Sequence, residues 1–146
     1  MSADVHVAAA APADRSLDVL RERALAAMER AYAPYSRFRV GAALLASDGS
    51  VTEGCNIENA SYPAGCCAER AALATAVTRG NRAFETIVVA TEAETPAPPC
   101  GICRQALVEF APRMLVVSIT RDGRESRWTL DELLPSAFTP SFLESR

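Results

Sequence analysis

Leu17, Leu20, Ala24, Ala27, Met28 and Ala31 recur three or four residues apart, the spacing of one buried helix face. With Ser16 as N-cap, this pattern predicts a helix to about Ala33, ended by Pro34. Phe38–Leu45 then reads as a strand, Asp48-Gly49 as a hairpin turn and Val51–Cys55 as the returning strand. An irregular stretch runs through Ser61-Tyr62-Pro63. A second helix is expected from Cys67 through Ala71, Leu73, Ala74 and Val77, with Gly80 placed to stop it. The apolar run Thr86–Ala90 has the length of a buried strand.

Thr95–Pro99 is proline-rich, but neither side of it is long enough to fold alone, so it is a loop and not a domain linker. A third helix is predicted over Ile102–Phe110, broken by Pro112, followed by a strand at Met114–Ile119. Arg121-Asp122-Gly123 turns into a last strand at Ser126–Trp128. Thr129 and Glu132 have the spacing of a capping box for a final short helix closed by Pro135. Helices alternating with buried strands imply one sheet between helix layers, and the hairpin makes it mixed. The expected architecture is α/β, a three-layer α/β/α sandwich around a mixed five-stranded sheet. Residues 1–14 are read as a flexible tail, 15–140 as a single domain and 141–146 as a C-terminal tail.

Composition narrows the chemistry. The 146-residue chain is 49% hydrophobic, enough for one real core without disulfides. Its net charge of -3 provides no basic footprint for a phosphate backbone, so no nucleic-acid partner is expected. No apolar run is long enough to span a bilayer, and Asp4 stands where a secretory signal would be basic. The expected location is the cytoplasm. Every basic side chain is an arginine, which removes Schiff-base lysines and phosphate loops that depend on a lysine. The only histidine, His6, falls in the expected tail, so histidine-based triads and histidine metal ligands are poor readings. Carboxylates, thiolates, arginines or a metal must carry any catalysis.

There are five cysteines. In a reducing compartment, clustered cysteines read as metal-binding or catalytic before they read as disulfides. Cys100-Gly101-Ile102-Cys103 alone leaves zinc, a redox dithiol and chance open. Upstream, Cys66-Cys67-Ala68-Glu69-Arg70 opens another helix, and helix N-termini stabilise thiolates. Two such ends brought together would place three thiolates around one Zn2+, leaving the fourth position for water as in catalytic zinc sites. Glu69 would then stand beside that water without being a ligand, the arrangement of Cys-x-Glu followed by Pro-Cys-x-x-Cys. Three thiolates leave the site net negative, and Arg70 and Arg104 are candidates to donate hydrogen bonds to the sulfurs. The competing reading is a structural zinc knot with Cys55 or Cys66 as fourth ligand. Spacing alone leaves open which half of Cys66-Cys67 binds metal.

The motifs Phe38-Arg39-Val40-Gly41-Ala42-Ala43, Gly54-Cys55-Asn56-Ile57-Glu58-Asn59-Ala60, Cys67-Ala68-Glu69-Arg70 and Pro99-Cys100-Gly101-Ile102-Cys103-Arg104-Gln105 together resemble the small homotetrameric cytidine deaminases. The resemblance covers about Leu17 to Phe138. It implies the fold of that family, Cys67, Cys100 and Cys103 as zinc ligands, and Glu69 as the proton shuttle of a hydrolytic deamination in pyrimidine salvage. It also implies a nucleoside substrate held by Asn56 and Glu58 at the ribose hydroxyls, with Phe38 as an aromatic wall and Ala68 and Tyr62 in the pocket. Phe138 matches a C-terminal phenylalanine that reaches a neighbouring subunit's site, so active sites shared within a homotetramer are expected. A deaminase of another small substrate, such as blasticidin, stays open beside cytidine.

Overall fold

The computed structural model describes residues 12–144. Helix α1 spans Pro12–Met28, strands β1 and β2 span Val40–Ala46 and Val51–Cys55, and helix α2 spans Ala68–Thr78. Strand β3 (Phe84–Thr91), helix α3 (Gly101–Val108), strands β4 (Leu115–Thr120) and β5 (Glu125–Thr129), and helix α4 (Leu130–Leu133) follow. The sheet order is β2-β1-β3-β4-β5. Only β3 and β4 are parallel; each other neighbouring pair is antiparallel. The mixed five-stranded α/β/α sandwich expected from the hydrophobic pattern is the fold observed.

Side-chain alternation along the strands divides the core between the two faces. Ala43, Val88, Ala90, Val117 and Ile119 pack against Leu17, Leu20, Ala24 and Met28 of α1. On the other face, Ala42, Leu44, Ile87, Val89 and Val116 meet α2, α3 and α4 through Ala72, Leu107 and Leu130. Two glycines let helices touch the hairpin directly. A Cβ on Gly41 would stand 2.1 Å from the Ala24 carbonyl oxygen, and one on Gly54 would stand 2.3 Å from that of Ala68. Glycine is required at both positions by close backbone approach.

Two boundaries differ informatively from expectation. Helix α1 starts at Pro12, whose fixed φ suits a first turn, and ends at Met28 instead of running to Ala33. The chain leaves the helix because the Tyr32 amide donates to the Asn56 carbonyl at 3.0 Å, in a bridge between Tyr32 and Ile57. Strand β1 begins at Val40, so Phe38 and Arg39 belong to the preceding loop. The capping box is present: the Glu132 carboxylate accepts the Thr129 amide at 2.7 Å. Positions 1–11 of the expected tail, with His6, lie outside the described residues, as do 145–146; Pro140–Phe142 forms a short 3-10 turn. Among the described residues, no helix is long and apolar enough to cross a membrane.

Candidate metal centre and active site

Cys67 is the N-cap of α2 and Cys100 the N-cap of α3, so two helix N-termini converge. Cys103 is buried in the first turn of α3. The three sulfurs lie within 4.8 Å of one another, and those of Cys67 and Cys100 are 3.7 Å apart. A tetrahedral zinc with Zn–S bonds of about 2.3 Å needs S···S edges of about 3.8 Å. The soft, anionic donor set suits the same ion. Neither Cys55 nor Cys66 joins the group: Cys55 turns its thiol to the Arg30 carbonyl, and Cys66 turns its own to the Cys67 carbonyl. Sequence spacing left the pair Cys66-Cys67 ambiguous, and the geometry selects Cys67.

Hydrogen bonding from Cys103, then Cys100 and Arg70, lowers the Cys67 thiol to about 5. Cys103 moves the opposite way, facing the Cys67 sulfur while buried. The Cys67 sulfur thus carries charge beside a protonated Cys103, and seating a dication there would release that proton. Glu69, in the first turn of α2, is only 4% exposed, and burial raises its carboxyl above the ordinary range. A carboxyl whose hold on a proton is strengthened by burial, beside a group of thiols that can seat a metal, is suited to accept and return a proton.

The two arginines diverge. Arg70 faces the sulfurs of Cys67 and Cys103, and its Nε is buried without a hydrogen-bond partner. That orphaned donor is where a charged thiolate cluster would be neutralised. Arg104 does not take the role expected of it. Its Nε and Nη1 donate to the carbonyls of Pro99 and Leu133 at 2.8 and 2.9 Å. It braces the Cys100 turn against the end of α4, because residue 104 lies one turn beyond the N-cap and points back along the helix.

Above the metal group lies a cleft of about 280 Å3, lined by Phe38, Asn56, Cys67, Ala68, Glu69 and Cys100 among others. Glu58, Tyr62 and Phe138 are not part of that lining. The Glu58 carboxylate accepts the amides of Tyr35 and Ser36 at 2.9 and 3.1 Å, because the Tyr32–Ile57 bridge carries it beside that loop. Asn56 is also engaged: its Oδ1 accepts the Val40 amide and its Nδ2 donates to the Phe38 carbonyl, both at 2.8 Å. Tyr62 is exposed and meets Tyr35 edge-on with ring centroids 6.1 Å apart. Phe138 is exposed and stacks on Phe142 at 5.7 Å, its carbonyl held by Gln105.

Sequence reasoning missed Val89, Thr91, Ala97 and Pro98, which with Ser36 and Val40 complete the cleft. The first two end a buried strand where the sheet changes from antiparallel to parallel neighbours, a recurrent place for ligands in α/β sheets. Ala97 is fixed by the buried Ser118, whose hydroxyl donates to its carbonyl at 2.5 Å. Nothing in the sequence signals that bond.

The sequence profile of the cytidine and deoxycytidylate deaminase zinc-binding region matches residues 15–119, which span both helix starts. The chain belongs to this family. It is 49% identical to a cytidine deaminase of Halalkalibacterium halodurans over 83% of this chain and 92% of that one. It superposes on the crystal structure of cytidine deaminase from Burkholderia pseudomallei with a TM-score of 0.80 and 48% identity, covering 83% of this chain and 98% of the other. A blasticidin-S deaminase of Bacillus cereus is 30% identical over 71% of this chain and 79% of its own length. Zinc is the cofactor of the matched region, and the three thiols have the separations to hold it.

Proposed function

We infer that this chain is a zinc-dependent cytidine deaminase, converting cytidine and deoxycytidine with water to uridine or deoxyuridine and ammonia. The observation that carries the reading is a buried Glu69 beside three convergent thiols at the bottom of a nucleoside-sized cleft. Cys67, Cys100 and Cys103 hold the metal. Bound zinc supplies Lewis acidity, which eases removal of a proton from water near neutral pH.

Glu69 takes the proton of the attacking water on its carboxylate and delivers it to ring N3 as oxygen adds to C4. It then carries the remaining proton of the new C4 hydroxyl to the amino group, so that the C4 carbonyl forms as the C4–N bond breaks and ammonia leaves. Burial supports the transfer by strengthening the carboxyl's hold on the proton it has taken up. Phe38 and Ala68 bound the base, while Asn56 and Glu58, besides holding the 35–40 backbone, keep spare acceptor capacity on their side-chain oxygens for the ribose hydroxyls. Tyr62 lies at the rim, and Arg70 offsets the negative charge of the sulfurs.

One deaminase domain over residues 15–140 carries these groups. Phe138, Phe142 and Ile102 leave an apolar exposure that fits burial against further copies of the chain. A homotetramer in which Phe138 completes a neighbour's cleft, working in cytoplasmic pyrimidine salvage, accommodates that surface.

The test follows cytidine absorbance with purified protein. Turnover is expected to vanish with a chelator and return with zinc. Glu69→Gln should retain zinc while losing about 10^3–10^4-fold in kcat; a variant keeping both metal and rate would remove Glu69 from the mechanism. Blasticidin S run in parallel separates the two substrate readings: faster turnover of it than of cytidine would replace the nucleoside assignment.

A further inference from the structure

Each amide from Tyr35 to Val40, apart from that of Arg37, donates to a side chain. The Arg37 amide donates to the Ala33 carbonyl, and its φ of 56° places the residue in the left-handed region just before Phe38. The segment is therefore shaped by side chains that reach in from elsewhere. Two of them, Asn56 and Glu58, already belong to the proposed substrate site. The third is Glu92.

Strand β1 lies between β2 and β3, and its first residue, Val40, pairs with the last residue of β3, Thr91. The next pair outward would be Arg39 and Glu92. There the Glu92 carboxylate continues the ladder, accepting the Arg39 amide at 3.1 Å. The same carboxylate accepts Arg39 Nε at 3.0 Å and Nη2 at 2.5 Å. Arg121 Nη2 adds a bond at 3.1 Å, while Glu29 accepts from both arginines. Asn56, just beyond β2, grips the same stretch from the opposite flank through Val40 and Phe38.

We propose that Glu92 is a positioning residue for substrate binding: it extends the β1–β3 ladder by one pair and so fixes the Phe38 wall of the cleft. Glu92 is not among the residues lining the cleft and acts through the Arg39 backbone. Its essential feature is an acceptor oxygen at the Arg39 amide. The Arg39 and Arg121 side chains bind its other oxygen, and the pairing with Arg39 holds the carboxyl ionised down to about 2.

The inference rests on the deaminase reading for its kinetic test, and hydrogen exchange tests it independently of substrate. In zinc-replete protein, Glu92→Ala is expected to raise KM for cytidine about tenfold with kcat within about threefold. Glu92→Ser repeats the test with a side chain too short to reach the amide. Glu92→Gln keeps an acceptor oxygen and should recover most of the KM, and Arg39→Ala, which retains its amide, should change KM by less than about threefold. Amide exchange over 35–40 should quicken in Glu92→Ala and Glu92→Ser only. Glu125→Gln breaks another partly buried ion pair, with Arg21 at 2.8 Å, and should leave both readouts unchanged.

Unchanged KM and unchanged exchange in Glu92→Ala would overturn the proposal. So would an Arg39→Ala variant as impaired as Glu92→Ala, because that pattern belongs to a simple ion pair. A parent enzyme inert toward cytidine would instead defeat the substrate reading and leave the exchange result to decide the role of Glu92.

Discussion

The bottom of the cleft is made from two helix starts, and its aromatic wall from a loop held by distant side chains. At the bottom, Cys67 and Cys100 cap α2 and α3, so the backbone that makes each helix also aims each sulfur. The wall has no repeating backbone bonds of its own. Phe38 stands where it does because Asn56, Glu58 and Glu92 supply acceptors to the amides of Tyr35, Ser36, Arg39 and Val40 on either side of it. A helix cap is local and tolerates change far away, whereas a side-chain scaffold fails one bond at a time. Metal binding and substrate binding are therefore expected to separate under mutation.

The largest effect should come from breaking the seat of α2. Gly54→Ala drives a Cβ to 2.3 Å from the Ala68 carbonyl oxygen and 2.5 Å from the Ala72 nitrogen. A loss of about 3 kcal/mol in unfolding free energy is expected, with weakened zinc retention. Denaturant titration and metal analysis check both, and a variant with parent stability would mean that α2 can lift without strain.

Asn56→Ala acts on the wall instead. It removes the acceptor of the Val40 amide and the donor to the Phe38 carbonyl, for about 2 kcal/mol of stability. KM should rise by at least about tenfold while zinc stays at one per chain. Zinc loss on the same scale as the KM change would erase the distinction between the two regions.

Acid titration gives the smallest effect. Glu92 sits at about 2 because of its bonds to Arg39, against an ordinary value of 4.5. A depressed folded-state value means stabilisation that is full above 4.5 and is lost as pH falls toward 2. The Tm gap between the parent and Glu92→Gln should thus be present at pH 6 and narrow steadily below pH 4.5. A constant gap across that range would show that the charge contributes nothing.

The same contrast decides what could be read from the chain alone. The strands were legible because alternating residues face two different helix layers, and the metal group because Cys67-x-Glu69 and Cys100-x-x-Cys103 are local spacings. Asn56 and Glu58 were expected as ribose contacts, and their part as acceptors for the 35–40 backbone was not legible. That role depends on the Tyr32–Ile57 bridge, a contact between segments far apart in sequence. Glu92 and Ser118 gave no signal, since an acid after a strand or a serine within one has many uses. Arg104 was misassigned because neighbours in sequence point about 100° apart around a helix, which turns its side chain away from the Cys103 sulfur and toward the carbonyls of Pro99 and Leu133. The end of α1 was misplaced because helical periodicity persists to Ala31 even though the backbone is claimed by Asn56 beyond Met28.

Gly41 and Gly54 have one further consequence. They lie on opposite faces of the hairpin, where helix backbone rests directly on strand backbone. Such a joint contains no rotamers, so it has no slack to take up and none to pass on. Drift in side-chain volume elsewhere in the core can be absorbed by repacking before it tilts α2. The seat of α2, which carries Cys67, is thereby gauged by main-chain thickness, a dimension that substitutions other than at the glycines themselves leave unaltered.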